Sequence, residues 1–134
     1  MRIDIVTDTF SPDVNGVAMT LGRLCDGLRS RGNLVHVIRT GEGGGAGQTV
    51  APSLALPGYR EVRIGLPRPL KLRKRWTKRR PDAVYVATES PLGSSAIKTA
   101  SRMGIPVATG FHTNFHQYME QFRLGGLLPT AIAY

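Results

Sequence analysis

The spacing of apolar residues changes period twice within the first forty positions, and that change limits the folds open to this chain. Ile3 to Val6 is a short β-rich run. A loop from Asp8 to Asn15 follows, containing Pro12 and leading into an Asn15-Gly16 turn signal. Val17, Leu21, Leu24, Cys25 and Leu28 then recur at steps of three and four, which draws one apolar stripe along a helix. Arg29 and Arg31 place cations in its last turn, and Gly32 supplies a C-cap. Leu34 to Ile38 reads as a second strand. Strand, helix and strand in so short a span form a βαβ unit, which requires parallel strands joined by a right-handed crossover.

The alternation returns further along. Ala83 to Ala87 reads as a strand, Leu92, Ala96, Ala100 and Met103 mark a helix closed by Gly104, and Pro106 to Thr109 reads as another strand. Between the two units, GEGGGAG (Gly41 to Gly47) leads into no helix and is expected to be a flexible surface loop. Short extended pieces are expected near Ser53 to Leu56 and Val62 to Ile64, around the Pro57-Gly58 turn. The basic segment Lys71 to Arg80 is expected to form a helix that stops before Pro81. Thr113 to Phe122 is also expected to be helical, with a further helix beginning near Leu127. The fold expected is α/β: a Rossmann-like, doubly wound, mainly parallel sheet. A chain of 134 residues can enclose one such core and not two.

Composition narrows the function classes. A chain 41% hydrophobic and 20% charged is that of a globular protein rather than a disordered one. No apolar run is long enough to cross a bilayer, and Asp4 and Asp8 interrupt the only stretch that could imitate a signal peptide. The single cysteine, Cys25, permits no internal disulfide and agrees with a reducing compartment, so a cytoplasmic protein is expected. Lys and Arg outnumber Asp and Glu by 18 to 9, a formal charge of +9. Such an excess attracts phosphates, whether of nucleic acid, anionic lipid or a phosphorylated metabolite.

Ligands of open parallel sheets bind beyond the carboxyl ends of the strands. Three such ends carry unusual residues: Asp8 to Gly16, then Thr88-Glu89-Ser90-Pro91, then Gly110-Phe111-His112-Thr113-Asn114. Gly16, at a loop-to-helix junction, would let a phosphate meet free backbone N–H groups; the alternative is a plain Asn-Gly turn. Neither a G-x-G-x-x-G fingerprint nor a G-x-x-x-x-G-K-[ST] loop occurs, which removes the main support for NAD binding and for a P-loop NTPase. His112 could donate to a sugar hydroxyl or stabilise charge near a leaving phosphate, although an isolated histidine is more often structural. His112, His116 and Glu120 share a helical face if that segment is helical, but without an H-E-x-x-H pattern no metal site is expected. His36 lies within a strand pattern and reads as a sheet residue. The basic segment holds Lys71, Arg73, Lys74, Arg75, Lys78, Arg79 and Arg80 around Leu72 and Trp76. Two readings stay open for it: an interfacial helix that inserts Trp76 among anionic lipid heads, or a solvated helix whose Leu72 and Trp76 pack on the sheet.

Four segments taken in order, DTFSPDVNGV, LPGYREVRIGLP, ESPLGSSA and GFHTNFHQYMEQF, resemble the N-terminal domain of the retaining family-four GT-B glycosyltransferases. Within that family the likeness is nearest to lipid-modifying mannosyl-, glucosyl- and sulfoquinovosyl-transferases, and it runs from Met1 to about Leu128. The resemblance implies that Gly16 meets the donor diphosphate and that His112 lies beside the donor sugar. It implies that Asp8, Pro12 and Asn15, with Glu89 and Ser90, border the acceptor pocket. It implies too that the basic helix (Lys71, Arg73, Lys74, Arg75, Trp76 and Lys78) faces an anionic membrane surface.

The expected partners are therefore a nucleoside-diphosphate sugar (GDP-mannose or a UDP-sugar), a lipid or glycolipid acceptor, the inner face of the cell membrane, and a nucleotide-sugar domain absent from these 134 residues. No separate cofactor and no metal is expected. The family's cleft lies between two domains, so the chain by itself is expected to be inactive. The alternative from another class is a basic α/β module that binds nucleic acid or nucleotide without catalysis. The sequence contains no helix-turn-helix and no RNA-binding signature, and its charge is gathered in one helix, so no nucleic-acid partner is expected.

Overall fold

The computed structural model describes residues 1–10, 16–41, 44–56 and 59–110. The elements in chain order are β1 (Arg2–Val6), α1 (Gly16–Ser30), β2 (Leu34–Arg39), β3 (Gln48–Val50), β4 (Ser53–Leu56), β5 (Tyr59–Gly65), α2 (Pro69–Lys78), β6 (Ala83–Val86), α3 (Pro91–Arg102) and β7 (Val107–Thr109). Five strands form one sheet in the order β3-β2-β1-β6-β7, and every pairing within it is parallel. β4 and β5 form a separate antiparallel pair, with Ser53 opposite Gly65.

The side-chain alternation of each strand decides which helix covers which face. Ile5 of β1 and Val37 of β2 point toward α1, where they join Leu21, Cys25 and Phe10. Val6 and Ile38, one residue on, point to the other face and pack with Leu72 and Trp76 of α2 and Leu92, Ala96 and Ala100 of α3. The sheet is thus covered on both sides, and its central strands read as nearly continuous apolar runs for that reason. The Ser90 hydroxyl accepts the Gly93 N–H and caps α3, with Pro91 opening the helix. Gly32 and Gly104, the expected helix closers, lie at φ 88° and 71°.

One element departs from expectation. β3 was not legible: Gln48-Thr49-Val50 is short and polar, and it becomes a strand only because β2 offers a free edge, with Val37 donating to the Gly47 carbonyl at 2.9 Å. Gly45 and Gly47, in the glycine segment before it, accept the N–H groups of Gln48 and Val37. The extended pieces expected around Pro57-Gly58 are strands, β4 and β5, and they pair with each other. The helices expected beyond Thr113 lie outside the described residues.

Candidate functional site

Chain direction across the sheet reverses between β1 and β6. From β1 the chain moves outward through α1 to β2 and β3; β6 and β7 lie on the opposite side. At such a switch point adjacent loops leave in opposite directions and open a crevice at the carboxyl edge. The carboxyl ends of β1, β6 and β7 lie side by side there, because these are neighbouring parallel strands, while residues 11–15 and 111–114 of the expected loops lie outside the described residues. The last begins at Gly110, whose N–H donates to the Val86 carbonyl at 3.0 Å.

Asp8 holds this edge together. Its Oδ1 accepts the Ser90 hydroxyl at 2.8 Å and the Gly65 N–H at 3.1 Å, while Oδ2 accepts the Thr88 hydroxyl at 2.7 Å. The Asp8 backbone carbonyl accepts the Thr40 hydroxyl. One residue thereby ties the turns after β1, β2, β5 and β6. Burial pushes the Asp8 carboxyl above the ordinary carboxylate range, opposed by the bonds from Thr88, Ser90 and Gly65 and by the charge of Arg63. Three donors directed at one carboxylate are an arrangement suited to its charged form. Gly65 is required for this closeness: a Cβ there would lie 2.6 Å from Asp8 Oδ1 and 2.7 Å from the Leu92 Cβ. Next to the hub, Phe10 is buried and the Arg39 guanidinium sits 5.8 Å from its ring centroid.

The expected site residues separate into four groups. Gly16 is the first residue of α1, exposed, with no atom within 4 Å of where a Cβ would stand. Glu89 is half-buried between two anchored neighbours, and its carboxylate has no hydrogen-bond or ion-pair partner among the described residues. Asp8 is half-buried and Ser90 fully buried, and both make internal hydrogen bonds that shape the rim. Pro12, Asn15 and His112 lie outside the described residues. Thr88, Thr40 and Gly65 were missed as partners of the hub. Only Gly65 left a trace in sequence, a glycine ending the β-patterned run Val62 to Ile64, which marks close backbone approach.

The basic helix resolves in favour of packing. Trp76 is 0% exposed and its indole N–H donates to Asp4 Oδ2 at 2.8 Å, so it cannot enter a membrane as the interfacial reading required. Arg75 is half-buried, and its Nε reaches the same oxygen at 3.1 Å. Lys71, Arg73, Lys74 and Lys78 remain exposed. The exposed apolar residue is Leu70, 82% accessible at the start of the helix, which sequence reading passed over. No helix among the described residues is long and apolar enough to cross a membrane.

A doubly wound parallel sheet whose loops are bound together at the switch point defines a Rossmann-like α/β domain. The chain belongs to glycosyltransferase family 4, whose family model matches residues 14–134. It is 30% identical over 137 residues to a GDP-mannose-dependent alpha-mannosyltransferase of Mycolicibacterium smegmatis, covering 93% of this chain and 36% of that protein. It is 28% identical over 143 residues to the alpha-monoglucosyldiacylglycerol synthase of Streptococcus pneumoniae, covering 100% of this chain and 32% of that protein. A GDP-mannose-dependent alpha-mannosyltransferase of Corynebacterium glutamicum is 26% identical over 136 residues, covering 95% of this chain and 33% of the relative. The chain thus spans about a third of the length of the curated relatives it matches. No solved structure matches it.

Proposed function

We propose that this chain is the acceptor-side half of a retaining glycosyltransferase that moves a sugar from a nucleoside-diphosphate donor to a lipid or lipid-linked acceptor. One observation carries the reading within the fold: the Asp8 clamp fastens the β1 and β6 turns at the switch point of a family-4 domain. Gly16 then begins α1 at the same edge, where helix N–H groups and the helix dipole favour a diphosphate. The site's contribution is to align donor and acceptor and to stabilise the charge that develops on the departing diphosphate. His112 is assigned to the donor sugar, and Asp8, Pro12, Asn15, Glu89 and Ser90 to the acceptor border. In that border Glu89 offers the free carboxylate, while Asp8 and Ser90 hold the wall in place. The relatives' names support GDP-mannose as donor and a diacylglycerol-based acceptor as the first pair to assay. Domain 1–134 would meet the nucleotide through a second domain, in keeping with its share of its relatives' length. Leu70 among Lys71, Arg73 and Lys74 supports peripheral contact with an anionic membrane.

The test is Gly16→Val in the enzyme that contains this chain. Among the described residues no atom outside its own turn lies within 4 Å of the added Cβ, so the melting temperature should stay put while turnover falls about a hundredfold, as when one preorganised oxyanion contact is lost. Undiminished turnover by a correctly folded Gly16→Val variant would remove the diphosphate assignment.

A further inference from the structure

A concavity of about 310 Å³ lies between α2 and the β2–β3 side of the sheet, one strand out from the switch point. Ile38 and Leu72 form apolar wall, Thr49 contributes a hydroxyl, and six cations complete the lining: Arg68, Lys71, Lys74, Arg75, Lys78 and Arg79. Their compensation is sparse. Arg75 shares Asp4 with Trp76, and the Arg68 guanidinium donates to the Val50 carbonyl at 3.2 Å. Lys71, Lys74, Lys78 and Arg79 have no side-chain hydrogen bond or ion pair among the described residues.

From this geometry we infer that the cavity is a discrete binding site for a phosphate group carried by a small polyol, separate from the rim at which sugar transfer is proposed. Like charges gathered on one wall repel one another, and a multi-oxygen anion converts that repulsion into several charge-assisted hydrogen bonds at once. The apolar wall from Ile38 and Leu72 keeps part of the cavity dry, which strengthens the field felt by an anion. The volume stands at the lower end of the range for small-molecule sites, roughly 300–1,000 Å³, and suits a phosphate with a few carbons rather than a nucleotide. The ester could be free in solution or be the headgroup of a phospholipid. Neither source requires the sugar-transfer reading.

His36 gives the site an internal reporter. Its Nε2 lies 2.6 Å from the Thr49 hydroxyl, and burial holds its pKa below the ordinary value, with Arg75 and Arg79 pushing the same way and Asp4 opposing them. An anion seated among those arginines offsets their field and so raises the His36 pKa.

The experiment titrates this chain with glycerol 3-phosphate, following the His36 ring by NMR across pH and the affinity by calorimetry. Saturable one-to-one binding with an upward shift of the His36 pKa is expected. The double variant Lys78→Gln/Arg79→Gln should weaken binding about tenfold or more, the scale of a lost charge-assisted hydrogen bond. Arg80→Gln, beside Arg79 but outside the cavity, should leave affinity unchanged. A parallel arm uses phosphatidylglycerol and phosphatidylcholine vesicles. Release from phosphatidylglycerol vesicles by glycerol 3-phosphate, together with loss of vesicle binding in the double variant, assigns the site to a lipid headgroup. Vesicle binding indifferent to both assigns it to a soluble ester. Equal weakening by Arg80→Gln and by the double variant, or an unmoved His36 with non-saturable binding, would show diffuse attraction to a basic segment and overturn the proposal.

Discussion

Asp8 shows how one short polar side chain decides the shape of a rim. A carboxylate bonded to Thr88, Ser90 and the Gly65 N–H fixes loops separated by as many as 82 positions. Such a bond set has no sequence pattern, because its members meet only after the sheet has formed. Its steric counterpart is testable. Gly65→Ala places a methyl group against Asp8 and the Leu92 Cβ, neither of which is the free end of a flexible side chain. It should cost about 1–3 kcal/mol by overpacking, read as a lowered urea midpoint with an unchanged slope. An unaltered midpoint would mean that β5 docks less tightly on α3 than described here.

At the level of elements, α2 departs furthest from its sequence appearance. Ten residues, Pro69–Lys78, carry a strongly basic surface yet bury a tryptophan completely. The buried anchor is Asp4, fully enclosed within β1, whose Oδ1 accepts no hydrogen bond among the described residues. A half-satisfied buried carboxylate depends strongly on the donors it has. Trp76→Phe keeps most of the ring's volume but removes the indole donor, and should destabilise the chain by about 2–3 kcal/mol. Replacing both partners, as in Asp4→Leu with Trp76→Phe, should recover part of that loss, since no stranded charge remains. A double variant as unstable as the sum of its singles would show that the pair matters by packing alone. β3 teaches the converse lesson: a weak strand former becomes a strand where a neighbouring edge supplies the ladder.

For the whole molecule, the question is how much of an enzyme one sheet can provide. Helices on both faces and a switch point between β1 and β6 make one Rossmann-like unit, which the proposed function takes as one wall of a cleft. The matched relatives are about three times as long as this chain. The chain alone is therefore expected to release no GDP from GDP-mannose above the uncatalysed rate, while the enzyme containing it does. Release of GDP by the purified 134-residue chain would refute the two-domain division of labour.

Period alone determined the order of the main strands and helices and the parallel, doubly wound class, because strand and helix periodicities are local properties of neighbouring residues. The same local signals put the loops bearing Gly16 and Glu89 at the carboxyl edge. What tertiary structure decided was the use of each polar and aromatic side chain. Asp8 and Ser90 bonded to each other across the rim, Trp76 left the surface for Asp4, and Leu70 took the exposed place. Those outcomes depend on which residues become neighbours across the sheet, where burial makes every unsatisfied polar atom costly, and that cost is invisible to a chain read in one dimension.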